Sequence, residues 1–361
     1  MTLFQRRPTL RWLVPLLAAL VLAAASSVVG VLSAAARGGL PERSAAQLLV
    51  DVQTARLSGL SGTIVQTADL GLPSIPGVGG DGSSDMTSLV AGSHTLRLWY
   101  ADPDHVRLAL LGSLGESDLV RNGTDLWTWS SKQKSATHHT VPRSDARTPR
   151  SLADGSPLTP QQAADAALRA ITPSTKVSTD GTAVVAGRSA YELVLRPRDS
   201  GSLVDSVRIA IDGETHLPTR VQVYADGHTD PAFEVGFTSF DPSTPPDSVF
   251  AFNPPPGTKV TESGALDGPD RVPDPRGPGL ADPKLVGSGW TSVVLTRLPA
   301  GATTDEGGPA AQVLQKLPRV SGSWGSGRLL RGTLFTAVLT DDGRLAVGAV
   351  SPDAIYRALA R

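Results

Sequence analysis

Polar and apolar residues alternate with a period of two through much of this chain, the signature of half-buried strands. Leu96, Leu98 and Tyr100 fall on one side of a run from Ser93 to Tyr100, and Val106, Leu108 and Leu110 do the same from His105 to Leu111. Further runs at Glu116–Arg121, Leu126–Ser131 and Ala136–Val141 follow. They are separated by the turn signals Ala101-Asp102-Pro103-Asp104 and Asn122-Gly123, which together predict a β-meander. On the strand after Asn122-Gly123, Trp127 and Trp129 point one way and Leu126, Thr128 and Ser130 the other. A first strand at Thr63–Thr67 precedes the meander. Six later runs continue the pattern: Lys176–Thr179, Thr182–Val185, Ser189–Arg196, Ser202–Ile211, Pro218–Tyr224 and Ala232–Phe240.

Helical spacing is scarce. Ala45, Leu48, Leu49, Val52 and Ala55 keep a 3.6-residue period after Pro41, and Gln161–Ala170 follows Thr159-Pro160; both predict short helices. Phe250–Gly257 carries three consecutive prolines, which cannot donate ladder hydrogen bonds, so this segment leaves the sheet and Thr258–Val260 closes it. Residues 261–283 form a Pro- and Gly-rich linker. After it, residues 284–361 predict a small α+β unit. Its elements are a strand at Trp290–Arg297, a helix at Pro309–Leu317, and a hairpin of Leu329–Leu339 with Arg344–Val350 about Asp341-Asp342-Gly343. A terminal helix at Pro352–Leu359 has Ser351 at its N-cap. The fold class is α+β, with residues 41–260 as the main domain.

The amino terminus changes the setting. Arg6, Arg7 and Arg11 precede an uncharged apolar run from Trp12 to Ala36. That is a membrane anchor or a cleaved export signal over residues 1–36, either of which places the body outside the cytoplasm. The net charge of −1 includes those three arginines, so the body is neutral to acidic and no nucleic-acid surface is expected. No cysteine is present, which excludes disulfides and thiol chemistry. Aromatic residues are only 5% of the chain, so each Trp is a scarce packing unit.

Reactive constellations are missing. No Gly-x-Ser-x-Gly elbow, His-Glu-x-x-His pair or phosphate-loop lysine occurs. His138 and His139 are adjacent on a strand and point to opposite faces, which suits no shared metal ion. The sequence therefore suggests no enzyme, no metal and no cofactor. Its positive signal is apolar: Leu98, Tyr100, Leu108 and Leu110, joined by Trp127 and Trp129, form the expected wall of a ligand site. With few helices to cover such a sheet, a lipid-sized pocket is one outcome and an ordinary dry core the other.

Three segments carry a family resemblance. Val120–Trp129 (VRNGTDLWTW), Ile211–Tyr224 (IDGETHLPTRVQVY) and Val249–Val260 (VFAFNPPPGTKV) resemble motifs of the outer-membrane lipoprotein carrier (LolA) family. They also resemble the amino-terminal domain of RseB/MucB-type sigma-factor regulators. That resemblance implies an incomplete antiparallel β-barrel wrapped around helices, with a hydrophobic cavity. It implies a membrane-tethered protein that binds a lipid acyl chain or a lipoprotein, or else a regulatory module that engages a membrane anti-sigma factor. The hairpin LTDDGRLAVGAV resembles the tail of anchored exported proteins of high-GC Gram-positive bacteria. Such bacteria commonly lack the outer membrane that the carrier serves, so shuttling to an outer membrane is not implied.

Overall fold

The computed structural model describes residues 40–72, 82–85, 88–89, 91–141, 173–265, 283–298 and 314–361. The expected amino-terminal anchor or signal, the helix at Gln161–Ala170 and most of the linker lie outside the described residues. Most of the helix expected at Pro309–Leu317 does as well. No helix among the described residues is long and apolar enough to cross a membrane.

One sheet of twelve strands organises the main domain. Its strands are β1 (Leu60–Ala68), β2 (Gly92–Asp102), β3 (His105–Gly112), β4 (Gly115–Asn122), β5 (Asp125–Ser130) and β6 (Ser135–Thr140). The second half comprises β7 (Thr175–Val185), β8 (Arg188–Pro197), β9 (Val204–Asp212), β10 (Pro218–Ala225), β11 (Pro231–Asp241) and β12 (Lys259–Ala265). The spatial order is β12-β6-β5-β4-β3-β2-β1-β11-β10-β9-β8-β7. Every pairing is antiparallel except β12 on β6, which is parallel. The two outer strands, β7 and β12, do not pair with each other, so the sheet is unclosed.

Helix α1 (Ala45–Thr54) starts at Ser44, whose side chain accepts from the Gln47 N–H while Gln47 reaches back to the Ser44 N–H. This capping box places the start after Pro41–Arg43, which lead into the helix rather than forming its first turn. Leu48 is fully buried and packs with Tyr191, Leu193 and Ile211 of β8 and β9. The Tyr191 hydroxyl donates to the Pro41 carbonyl at 2.9 Å and fixes the entry to the helix.

Cross-strand partners share a face. The face under α1 therefore runs continuously from Ile209 through Val221, Val235, Ile64 and Leu96 to Leu110, the main core cluster. We call it the helix-bearing face.

The hairpin between β9 and β10 is held by one carboxylate. Asp212 Oδ1 accepts from the Thr215 N–H and hydroxyl, each at 2.8 Å, and from the Glu214 N–H at 3.2 Å. The Arg188 Nε donates to Oδ2 at 2.7 Å. The turn leaves His216 at φ +58°, a left-handed conformation stabilised by the bonds around it. This accounts physically for the Asp-x-x-Thr-x-Leu-Pro motif.

The described residues of 284–361 form a second sheet of strands β13 (Lys284–Val286), β14 (Val293–Arg297), β15 (Arg319–Gly322), β16 (Gly325–Arg331), β17 (Thr336–Thr340) and β18 (Arg344–Gly348). Helix α2 (Pro352–Leu359) buries Ile355, Ala358 and Leu359 against Val338, Ala346 and Val293. Leu329–Leu339, expected as one strand, is two. The chain turns at Gly332, whose N–H donates to the Phe335 carbonyl, and a Cβ there would lie 2.7 Å from the Phe335 ring. Trp290, expected in a strand, lies in a short 3-10 turn before β14.

Burial, the largest influence on Asp212, raises its pKa, but the Arg188 and Thr215 hydrogen bonds outweigh it and bring the carboxyl down to about 2. A depressed acid stabilises the fold fully above its unfolded value, about 3.9, and loses that contribution as pH falls through the folded value. Asp212→Asn is expected to lower stability at neutral pH by about 2 kcal/mol. Urea titrations between about pH 5 and pH 2 check this: wild type loses its advantage over the variant as the pH drops.

Candidate functional site

The register divides the six expected wall residues between two faces. Leu98 pairs with Leu108, Leu96 with Leu110, and Tyr100 with Val106, so Leu98, Tyr100, Leu108 and Leu110 all lie on the helix-bearing face. Leu108 then pairs with Leu119, and Leu119 with Thr128. Trp127 pairs with Val120, and Val120 with Arg107; Trp129 pairs with Asp118, and Asp118 with Ala109. Both tryptophans are therefore on the opposite side of the sheet and do not join the leucines. The two-residue turns after Gly112 and Asn122 set this parity.

The first four residues are not equally accessible. Leu110 is fully buried, whereas Leu98, Tyr100 and Leu108 are half-buried. Half-buried apolar residues continue across β3 to β5 at Val106, Leu119 and Leu126. The helix-bearing face thus carries α1 over β8 and β9, a buried core at Ile64, Leu96 and Leu110, and a half-buried apolar surface toward β5.

On the opposite face, the tryptophans have a cover that the alternation pattern did not reveal. After β11, a short 3-10 turn (Asp247–Val249) carries the chain across the sheet. Phe250 is buried, with its ring 5.8 Å from that of His105. The Val249 carbonyl accepts from Arg107 at 3.4 Å. Phe252 sits 5.4 Å from the ring of Trp127 and 6.3 Å from that of Trp129. Pro254–Pro256 keep this strap out of the ladder, and β12 then fastens it beside β6. The spacing Phe250-Ala251-Phe252 was a partial signal, since two aromatics two residues apart share a face on an extended segment, although Phe250 itself closes the 3-10 turn with helical backbone.

Charges accompany the aromatics here. Asp118, fully buried, takes a 2.5 Å bond from Arg107. Burial first, and then the neighbouring Asp118, push the Glu116 carboxyl up to about 7. His138 stacks on Trp127 at 4.3 Å, with Nε2 at 2.9 Å from Asp125 and Nδ1 at 2.7 Å from Glu262 of β12. A ring that donates from both nitrogens is an imidazolium. His139 pairs with Leu126 and faces the other way, as adjacent strand residues must. No group of three metal-ligating side chains occurs among the described residues.

The geometry defines a class: an unclosed, one-sidedly apolar sheet with a strap across its back and a second small sheet unit behind the linker. No family model matches the chain, and no curated protein matches it significantly. Among solved structures, it is similar to Pseudomonas aeruginosa MucB in its complex with MucA. The identity is 16%, covering 87% of this chain and 96% of that one, with a TM-score of 0.43. It is also similar to an uncharacterized conserved protein of Thermus thermophilus, at 11% identity, 60% and 98% coverage, and a TM-score of 0.34. A LolA superfamily protein of Nitrosomonas europaea matches at 12% identity, 58% and 99% coverage, and a TM-score of 0.20.

The strap's fastening is expected to depend on pH. Burial, the largest influence on His138, lowers its pKa, but the hydrogen bonds and charges of Glu262 and Asp125 outweigh it and raise the value. A raised base stabilises fully below its unfolded value, about 6.5, and its contribution disappears as pH rises through the folded value. Both carboxylates are largely exposed, so the contribution is small. Hydrogen exchange at Lys259–Glu262, corrected for intrinsic rates, is expected to quicken on going from about pH 6 to about pH 9 more than it does in His138→Gln.

Proposed function

We propose that this protein is an extracytoplasmic, membrane-tethered carrier or receptor that holds an acyl chain, free or on a lipoprotein, against the helix-bearing face. The observation that carries this reading is the apolar surface that stays half-buried at Leu98, Tyr100 and Leu108, at the margin of the buried core of Ile64, Leu96 and Leu110. Leu110 forms the buried base of that surface. Each methylene removed from water there stabilises the complex by about 0.8 kcal/mol, so even a partial groove suffices for useful affinity. Trp127 and Trp129 play no part in this contact, because they lie through the sheet under Phe252. No step of this reading needs a reactive group, a metal or a cofactor. The tether is the uncharged run after Arg11.

A second reading has its own support. The unit of residues 284–361 is bonded directly to the main sheet. The Leu203 N–H donates to the Ala349 carbonyl, the Thr333 N–H to the Leu70 carbonyl, and the Trp290 Nε1 to the Thr175 hydroxyl, each at 2.8 Å. Occupancy of the apolar face would then be transmitted to that unit, making the protein a sensor of envelope state that engages a membrane anti-sigma factor. Deleting Lys284–Arg361 is expected to abolish capture of such a partner from membranes and to leave acyl-chain binding intact; unchanged capture contradicts this second reading.

For the first reading, delipidated protein is expected to bind a fluorescent fatty acid saturably. Leu108→Glu is expected to weaken that binding by about tenfold or more, while Trp129→Phe leaves it within about twofold. Equal losses in both variants would place the ligand elsewhere.

A further inference from the structure

A trough opens on the strap-bearing side of the sheet, away from the apolar face. Its volume is about 190 Å³, and its walls come from β1, β2 and β11. Two cross-strand rungs build it: Asp241–Ser61–Trp99 and Ser239–Thr63–Arg97. The middle strand carries the small residues Ser61 and Thr63, while Trp99 and Arg97 rise on one side and Asp241 and Ser239 on the other. On the first rung a dent between the taller Asp241 and Trp99 follows from side-chain size, whereas on the second only Arg97 overtops Thr63. A β-bulge next to it, between Thr63 and Ile64 in the register with β11, bends the strand and deepens the dent. Gly62 allows that close approach, because a Cβ there would lie 2.4 Å from the Ser239 carbonyl oxygen.

The groups lining the trough have hydrogen-bonding capacity left over. Arg97 is exposed, and no carboxylate lies within ion-pair distance of it among the described residues. Its guanidinium rests against the Trp99 ring, 4.9 Å from the centroid, and that of Arg107 lies 5.5 Å from the same centroid; the indole holds the Arg97 charge in place while its N–H donors stay available. Asp241 Oδ1 accepts from the Ser243 N–H, which leaves the other oxygen to face a ligand. Ser239 Oγ accepts from the Thr63 N–H and retains its own proton to donate. Donors and acceptors thus line both walls.

The charges on the two walls are one positive and one negative. That balance disfavours a simple anion, which Asp241 would repel, and a simple cation, which Arg97 would repel. A neutral ring bearing several hydroxyls satisfies both walls, because vicinal hydroxyls match the planar guanidinium and carboxylate in pairs. We propose that this trough is a saccharide-binding site, taking one ring of a neutral glycan. The site lies through the sheet from the acyl-chain surface and stands independently of it. A protein held at a membrane and exposed to polysaccharide would use it to dock on that polymer.

The test is isothermal titration of the full chain, kept in a detergent without a sugar headgroup, with maltotetraose, cellotetraose and N-acetylchitotetraose. Inorganic phosphate and palmitate serve as the other arms. Saturable binding of at least one oligosaccharide is expected. It should weaken by about tenfold or more in Trp99→Ala and in Arg97→Ala, and also in Ser61→Tyr, which fills the floor. Unchanged thermal melting of Arg97→Ala and unchanged palmitate binding separate this effect from loss of fold. Failure of all three oligosaccharides to saturate the wild type overturns the proposal. So does binding that survives Trp99→Ala, or binding of phosphate alone.

Discussion

Cross-strand register is the constraint on which the rest of this structure depends. In a pleated sheet each side chain's face is fixed by parity, so one residue of slip would exchange every inward group for an outward one. Here parity is carried from β5 through two-residue turns to β2, and from β2 through β1 into the second half of the sheet, with shifts only between Tyr100 and Asp102 and, against β11, between Thr63 and Ile64. It puts the leucine stripe and α1 on one side and the tryptophans, Arg107 and Asp118 on the other. Two surfaces of different chemistry result from one sheet: a core that grades into an exposed apolar surface, and a strapped, charged back.

The strap solves a problem that the register creates. Two large aromatics placed on the back of a sheet would otherwise be left in water. Phe252 covers them while Phe250 packs beside His105, and the prolines that follow prevent the segment from competing for ladder bonds. The parallel β12 on β6 is the consequence: a strand that crosses the back of the sheet before pairing arrives running the other way from one that had turned in a hairpin. His138 joins the strap to the sheet through Glu262, so the cover on Trp127 is linked to the protonation state of one ring.

Much of this was legible in the sequence, because strand alternation is a local signal. The strands of the meander and of the later β8 to β11 fall within a few residues of where their alternation placed them, and the three-proline segment leaves the sheet as its chemistry requires; the runs Lys176–Thr179 and Thr182–Val185, expected as two strands, are one, β7, with a register shift between them. The unclosed, mostly antiparallel sheet was an expectation of the family resemblance rather than of alternation. The shared face of Trp127 and Leu108 was the error, and its cause is instructive. Alternation places neighbours within a strand, but the faces of different strands are related only by counting through each turn. Counting from Gly112–Gly115 and Asn122–Asp125 would have set Trp127 opposite Val120 and in line with Arg107. The trough had no signal of this kind, because its two rungs join β1 to β11, distant in sequence, across a bulge. The break at Gly332 within Leu329–Leu339 was masked because the residues on both sides keep strand-like composition.

The central claim is that the half-buried part of the helix-bearing face is where an acyl chain lies. The most direct measurement is photo-crosslinking of the membrane-extracted protein with a diazirine-bearing palmitate, followed by peptide mapping of the adducts. Adducts at Leu98, Tyr100, Leu108 and Leu119, and none on Trp127, Trp129 or Phe252, are the predicted result. Adducts confined to the strap and the tryptophans, or no competable adduct on the main domain, would contradict it.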